Sequence, residues 1–463
     1  MTRSILTFFA LLFAFTEISA QEGENFLARP LPDNWSYSEE TSPVPPDNNL
    51  WWQNFGDTQL DSLISLATER NYSVLGAIEN MKRAKAVWRQ AQSNLLPQIA
   101  LSAGWQRAKS SGNTALTEFR ETYDGYFSGG VSMSWQVDIF GGIYMRSKAQ
   151  KRLFQASEEE YRAIMVTLCA SVATTYFSIK QSAAQLEVLR NNVASQKEII
   201  KIVTSRYDNG LASKLDVAQS KSVYYNTLAQ IPAMEASLAA YRNSLAVLLG
   251  CSPTELNDWE LQTTELPSYI DPVALGMPAM LLRQRPDIRA AEKQVEAYAA
   301  TLGATKREWL PTFLVNGSLG YSSEKIKELP HARSVTWEIA PTMQWNLFTG
   351  GERLNATREA RAALEQSILS FNEKVLTAIQ EVENAMSGYH GSIAQTVAIK
   401  EAVNQCRETL KLSLELYKQG LTQFQNVLDA QRTLLSYQDY LVQAQGSTLK
   451  ALVQLYEALG GGW

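Results

Sequence analysis

Histidine is almost missing from this chain and cysteine is scarce. Only His331 and His390 occur, and neither has a partner at metal-ligand spacing, which removes the usual nitrogen ligands of a catalytic zinc. Cys169, Cys251 and Cys406 are odd in number and far apart, so they form neither a disulfide framework nor a zinc knuckle and read as structural thiols. Excess positive charge is also absent. A net charge of −5 leaves no electrostatic footprint for nucleic acid. No phosphate loop and no nucleophile–base set stands out, so neither an enzyme nor a bound cofactor is expected. Long apolar runs are missing too, with one exception. Ile5 to Phe15 makes a run of about 11 residues, too short for a spanning helix. Arg3 precedes it and Ile18-Ser19-Ala20 follows, which reads as a signal peptide over 1–20 and an exported mature chain. No other window carries enough continuous apolar residues to cross a bilayer as a helix. Any membrane contact must be made another way.

Against these absences stands a duplication. After an extended segment over 21–56, a first block over 57–250 is matched, beyond a connecting segment at 251–280, by a second over 281–463. Each block reads as a helix, a β-hairpin (97–139 and 311–348), one very long helix, a tip turn (208–213 and 418–423) and a return helix. Leu96-Pro97 and Leu310-Pro311 open the hairpins. Tyr207-Asp208-Asn209-Gly210-Leu211 and Tyr417-Lys418-Gln419-Gly420-Leu421 form the turns, about 210 positions apart, and a repeat at fixed spacing decides architecture first.

The hairpins alternate with period two. Phe127, Val131, Met133, Trp135, Val137 and Ile139 take one face of their strand, while Ser128, Ser132, Ser134, Gln136 and Asp138 take the other. Val335, Trp337, Ile339, Met343 and Trp345 likewise oppose Thr336, Glu338, Thr342, Gln344 and Asn346. Each run is roughly 10 residues, the length of a tilted membrane strand, and aromatic residues near the ends suit interfacial girdles. A soluble sandwich shows the same alternation; the signal peptide and the near absence of charge on either face favour a membrane barrel. Pro341 marks either a bulge or a non-donating edge position. Single-chain barrels begin at about eight strands, and open edges do not survive in lipid, so four strands require oligomerisation. Two copies would fill their own lumen, whereas three would leave room for water and cargo.

The helices are patterned for a tube. Beyond Gly142 more than about 60 residues run to Asn209 without proline or glycine, roughly 100 Å of helix. In the second block Gly388 and Gly391 lower rigidity without demanding a break. The return helices carry heptads, among them Leu434, Tyr437, Leu441, Ala444, Thr448, Ala451, Leu455 and Ala458, as long antiparallel partners require. Pro232 is expected to kink the first return helix. One helix before each hairpin, at about Asp57 to Asn94 and Asp287 to Trp309, is expected to stack on a return helix and cover the remainder of its long partner.

At this point a likeness is visible. Leu281-Leu282-Arg283-Gln284-Arg285-Pro286-Asp287-Ile288-Arg289-Ala290-Ala291-Glu292 resembles the RPD signature of outer-membrane efflux proteins. Trp51-Trp52-Gln53-Asn54-Phe55, Trp135-Gln136-Val137-Asp138-Ile139-Phe140-Gly141 and Leu347-Phe348-Thr349-Gly350-Gly351 also resemble that family's motifs. The chain is similar to the TolC-like outer-membrane factors, and within them to the NodT-type subfamily that serves resistance-nodulation-division pumps. The resemblance implies a mainly α fold with a membrane β-barrel. It implies a homotrimer whose twelve-strand barrel, four strands from each protomer, continues into a helical coiled-coil tunnel. It also implies a Gram-negative outer membrane and an exit duct for small molecules such as drugs.

By the same resemblance, Gly210, Leu211, Gly420 and Leu421 at the tips contact a periplasmic adaptor, with an inner-membrane pump behind it. Tyr207, Asp216, Tyr417 and Asp429 take the places of a periplasmic gate. Two departures stand out. Asn426 replaces an acid found in some members and Thr422 replaces a gate-locking arginine. Many NodT-type members carry an acylated cysteine; here Gln21 follows Ala20, so no acyl anchor is expected. A type I secretion duct for polypeptides and a periplasmic coiled-coil scaffold are the alternatives.

Overall fold

The computed structural model describes residues 26, 27, 35, 50–107, 125–256, 266, 267 and 284–461. The expected signal peptide, most of the 21–56 and 251–280 segments, and the loop between the first two strands lie outside them. The elements are α1 (Thr58–Arg70), α2 (Tyr72–Ser93), β1 (Gln98–Gln106), β2 (Tyr126–Val137), α3 (Gly142–Asp208), α4 (Lys214–Leu248), the one-turn α5 (Pro253–Leu256), α6 (Pro286–Arg307), β3 (Thr312–Ser323), β4 (Val335–Gln344), α7 (Glu352–Gln419) and α8 (Phe424–Ala458). The long helices α3 and α7 have 67 and 68 residues, and the return helices α4 and α8 have 35 each. α4 runs through Pro232 and α7 through Gly388 and Gly391 without ending.

All four helices stop in the same way. Gly210, Gly250, Gly420 and Gly460 adopt positive φ between 68° and 79°. Beside each, the next amide reaches back five residues, as in Leu211 N to Arg206 O (2.8 Å) and Leu421 N to Leu416 O (2.9 Å). This is the Schellman stop, in which a left-handed glycine lets two orphan carbonyls be satisfied. At Gly250 an added Cβ would lie 2.4 Å from Arg70 O, so that stop also serves close packing.

The expected single helix from Asp57 to Asn94 is two helices. Asn71 sits between them at ψ 126°, and its side chain explains the break. Asn71 Oδ1 accepts from Ser73 N at 2.8 Å to start α2, while Nδ2 donates to Leu248 O at 2.8 Å. Asparagine competes with the helix ladder in this way wherever its amide finds a better partner.

The chain forms two compact units, and the first comprises the described residues within Met1–Glu79, Glu159–Arg289 and Asn372–Trp463. Its core gathers Leu60, Leu63 and Ile64 of α1, Val172, Tyr176 and Phe177 of α3, Leu245 of α4, Val382 and Met386 of α7, and Leu452 and Tyr456 of α8. A 3₁₀ turn, Trp51–Phe55, closes it, with Trp51 stacked on Tyr456 at 5.2 Å and Phe55 against Phe177 at 4.9 Å. One 18-residue stretch of α3 is apolar enough to pass for a membrane span, contrary to the reading of the sequence. Most of that stretch is buried in protein, so it is a core helix.

The second unit comprises the described residues within Asn80–Glu158 and Ala290–Phe371. It carries a single antiparallel sheet in the order β1-β2-β3-β4. The register turns the alternation of each strand into one continuous surface. Leu101 pairs with Val131, Val131 with Leu319 and Leu319 with Trp337; Ile99 pairs with Met133 and Phe313 with Met343. On the reverse, Ser102 pairs with Gly130, Gly130 with Gly320 and Gly320 with Thr336. The apolar face is bare in the protomer: Leu101 is 82% and Trp337 72% exposed. Pro341 opposes Val315 in unbroken register, so it marks an edge strand and no bulge. Both hairpins are fastened alike, by Trp135 Nε1 to Leu95 O and Trp345 Nε1 to Trp309 O, each at 3.0 Å.

Candidate functional site

Each tip turn is built by its glycine stop and by the cap of the helix that follows. At the first turn Ser213 Oγ accepts from Asp216 N at 3.1 Å, and Ser213 N donates to Asp216 Oδ2 at 3.1 Å. This reciprocal capping box fixes the start of α4. The second turn lacks it. Gln423 offers no side-chain cap, and Asn426 Nδ2 instead donates to Thr422 Oγ1 at 2.7 Å. Asn426 and Thr422, the two departures expected from the resemblance, therefore meet each other.

The two tips pack on a small core of Ile199, Val203, Val223, Tyr417, Phe424, Val427 and Leu428. Tyr417 is buried within it, 5.1 Å from the Phe424 ring. Burial pushes the Tyr417 phenol above its ordinary pKa, and the Asp216 charge pushes the same way, against the pull of Arg206. Tyr207, Leu211 and Leu421 are exposed, as are Gly210 and Gly420. Asp429 is exposed and takes hydrogen bonds from Gln425 Nε2 at 3.0 and 3.2 Å. The tertiary structure thus brings Tyr417 and Asp216 together and leaves Tyr207 and Asp429 on the surface of the protomer.

One residue at the tips escaped the sequence reading. The Arg206 guanidinium lies over the Tyr417 ring at 4.9 Å, and its Nη1 donates to Lys418 O at 2.6 Å. It ties the end of α3 to the end of α7. A basic residue in the last turn of α3 was the available signal, since cations favour helix C-termini.

Two buried charge clusters hold the first unit. Arg285 forks onto Asp287 with two bonds of 3.0 Å, reaches Glu381 at 2.7 Å and donates to Ala458 O at 3.0 Å. Burial raises Asp287 and disfavours the charge on Arg285, but the pairing wins and keeps both ionised. The signature motif thus caps α8 from outside, as Asn71 caps α4. Elsewhere Asp57 caps α1 and accepts from Lys180 Nζ at 2.7 Å and Tyr176 OH at 2.8 Å.

A sheet apolar on one face and polar on the other, with open edges, is a piece of a membrane barrel wall; long helices ending in paired turns add a coiled-coil section. These features define a membrane channel with a helical extension. The chain belongs to the outer membrane efflux protein family, whose pattern it matches over residues 63–251 and 277–461. It is 27% identical over 464 residues to the cation efflux system protein CusC of Escherichia coli, covering 98% of each chain. It is 29% identical over 410 residues to the toluene efflux pump outer membrane protein TtgI of Pseudomonas putida, covering 88% of this chain and 86% of that one. The solved outer-membrane channel OprN superposes with a TM-score of 0.88 at 26% identity, over 94% of this chain and 98% of that one. The fold is that of the TolC-like channels, a barrel with a helical tunnel. The protein is an outer-membrane efflux channel of a Gram-negative cell and belongs to a transport family, not a family of enzymes.

Proposed function

We propose that three copies join their sheets edge to edge into a twelve-strand barrel and their helices into a periplasmic tunnel. The observation that carries this is the bare sheet. β1 and β4 each have an unpaired edge, the apolar face is exposed, and in hydrocarbon no unpaired backbone edge persists. Hydrocarbon takes the face of Leu101, Leu319 and Trp337, and water the face of Ser102, Ser132 and Ser318.

In this reading the turns at Gly210-Leu211 and Gly420-Leu421 meet a periplasmic adaptor, with a pump of the resistance-nodulation-division type behind it. The cargo consists of small molecules. Tyr207, Asp216, Tyr417 and Asp429 form the periplasmic gate, and Asp429, exposed on the protomer, is free to meet a neighbouring copy. Adaptor binding opens the gate by preferring the splayed tips, since a ligand shifts an equilibrium only by its differential affinity.

The detergent-purified protein is expected to run at three times the mass of one mature chain and to conduct in planar bilayers. A monomeric, non-conducting species would overturn the duct. Leu211→Asp with Leu421→Asp should abolish cross-linking to the adaptor and sensitise the cell to drugs, dyes or bile salts while leaving the trimer intact. Retained cross-linking would remove the tips from the adaptor contact.

A further inference from the structure

The four strands carry a single formal charge on their two faces. The register puts Gln98, Ala100, Ser102 and Gly104 of β1 with Ser128, Gly130, Ser132, Ser134 and Gln136 of β2, and with Leu314, Asn316, Ser318, Gly320 and Ser322 of β3. On β4 the same face shows Thr336, Ala340, Thr342, Gln344 and one carboxylate, Glu338. The opposite face has none. Glu338 pairs with Ser318, which pairs with Ser132, which pairs with Ala100, and the next row toward the loop is Thr336, Gly320, Gly130 and Ser102. Its neighbours in both rows are therefore short and uncharged.

Other polar groups on this face satisfy one another. Ser134 Oγ donates to Asn316 Oδ1 at 3.0 Å, and Tyr126 OH donates to Gln106 Oε1 at 2.9 Å. Glu338 is exposed and has neither a hydrogen-bond nor an ion-pair partner among the described residues. An unpaired carboxylate cannot face hydrocarbon without a cost of several kcal/mol, so its solvent is the aqueous lumen.

We infer that Glu338 determines the charge preference of the barrel section, drawing cations into the lumen and repelling anions. The inference rests on the trimeric duct proposed above. Threefold symmetry would set three carboxylates at one level, among strands that carry neither lysine nor arginine. Rings of acidic side chains select cations in channels, and low-dielectric walls focus the field of such a ring. This level lies in the strands, so it acts independently of the gate at the helical tips.

The test uses purified trimers in planar bilayers at low salt, with hexaamminecobalt(III) added to the loop side. Glu338→Gln should raise the half-blocking concentration at least about tenfold, the scale on which a focused field concentrates counter-ions. Block from the opposite side should not change. Thr336→Glu in the Glu338→Gln background returns a charge to the same face one row away and should restore loop-side block. Loop-side block that is equal in wild type and Glu338→Gln, or that Thr336→Glu fails to restore, would overturn the inference. The mass of the detergent complex separates the two claims. A monomer ends the duct, whereas a conducting trimer indifferent to Glu338→Gln ends only the charge assignment.

Discussion

Arg206 stands on the Tyr417 ring and donates to the carbonyl of Lys418, so a residue of the first repeat clamps the end of the second. By the resemblance read from the sequence, Thr422 takes the place of a gate-locking arginine of some efflux proteins. Arg206 supplies a cation to the same junction from the opposite tip.

If that clamp holds the tips together, Arg206→Ala should loosen them. A cation–π contact at a partly exposed site is worth about 1 kcal/mol and a charge-assisted hydrogen bond about 2 kcal/mol. Arg206→Ala trimers should therefore show raised single-channel conductance with unchanged assembly. Arg206→Lys should rescue only in part, because an ammonium lacks the planar fork. Wild-type conductance in Arg206→Ala would remove the clamp from gating.

Asp216 has two possible duties, and its capping box separates them. Ser213→Ala and Asp216→Ala each break the reciprocal cap and should destabilise the start of α4 by about 1 kcal/mol. Only Asp216→Ala also removes a charge beside Tyr417. If Asp216 gates, conductance rises in Asp216→Ala and stays near wild type in Ser213→Ala. Equal currents in the two variants would reduce Asp216 to a cap.

Gly130 and Gly320 are directly paired across β2 and β3. A Cβ on Gly130 would lie 2.6 Å from Gly320 Cα, and one on Gly320 would lie 2.6 Å from Gly129 O. Gly130→Ala or Gly320→Ala should cost about 1–3 kcal/mol by forcing backbone apart, and should lower the yield of heat-resistant trimer. Gly104→Ala on the same face meets nothing within 4 Å and serves as the control. Equal heat resistance in all three would show that the sheet relaxes freely.

Asp57 links stability to pH. Burial alone would raise its carboxyl, but the hydrogen bonds from Lys180 and Tyr176 outweigh it and hold the pKa below the ordinary 3.8. A depressed carboxylate stabilises the fold above its unfolded value, and that contribution disappears as pH falls through the lower folded value. Asp57→Asn should flatten this acid limb of the melting-temperature profile. At neutral pH it should cost about 1–3 kcal/mol, because Lys180 keeps only a neutral amide oxygen in place of a carboxylate. An acid limb identical to wild type would place the proton-linked group elsewhere.

Much of this architecture is legible in the sequence because it is periodic. The alternation from Phe127 to Val137 and the heptads of α8 report which face is apolar whatever the partner, and the paired Tyr–x–x–Gly–Leu turns locate both tips. What escaped was contextual. Asn71 breaks a helix through a bond to Leu248, 177 positions away, which no local pattern reveals. Arg206 reads as an ordinary basic residue, and Arg285 as a motif residue without known partners, until tertiary packing supplies the carbonyls and carboxylates around them. The apolar window in α3 looked unremarkable in the sequence yet proved to be the core helix of its unit.

The sequence by itself determined the duplication, the two faces of each strand and the glycine stops of the four long helices, because these depend on neighbours a few positions away. Only the tertiary structure decided that the four apolar faces merge into one surface, that the two repeats clasp at Arg206 and Tyr417, and that the carboxylate on the polar side has no partner among the described residues. Those outcomes depend on register and on partners far along the chain, and the free energy that selects them arises when distant segments share one packed interface.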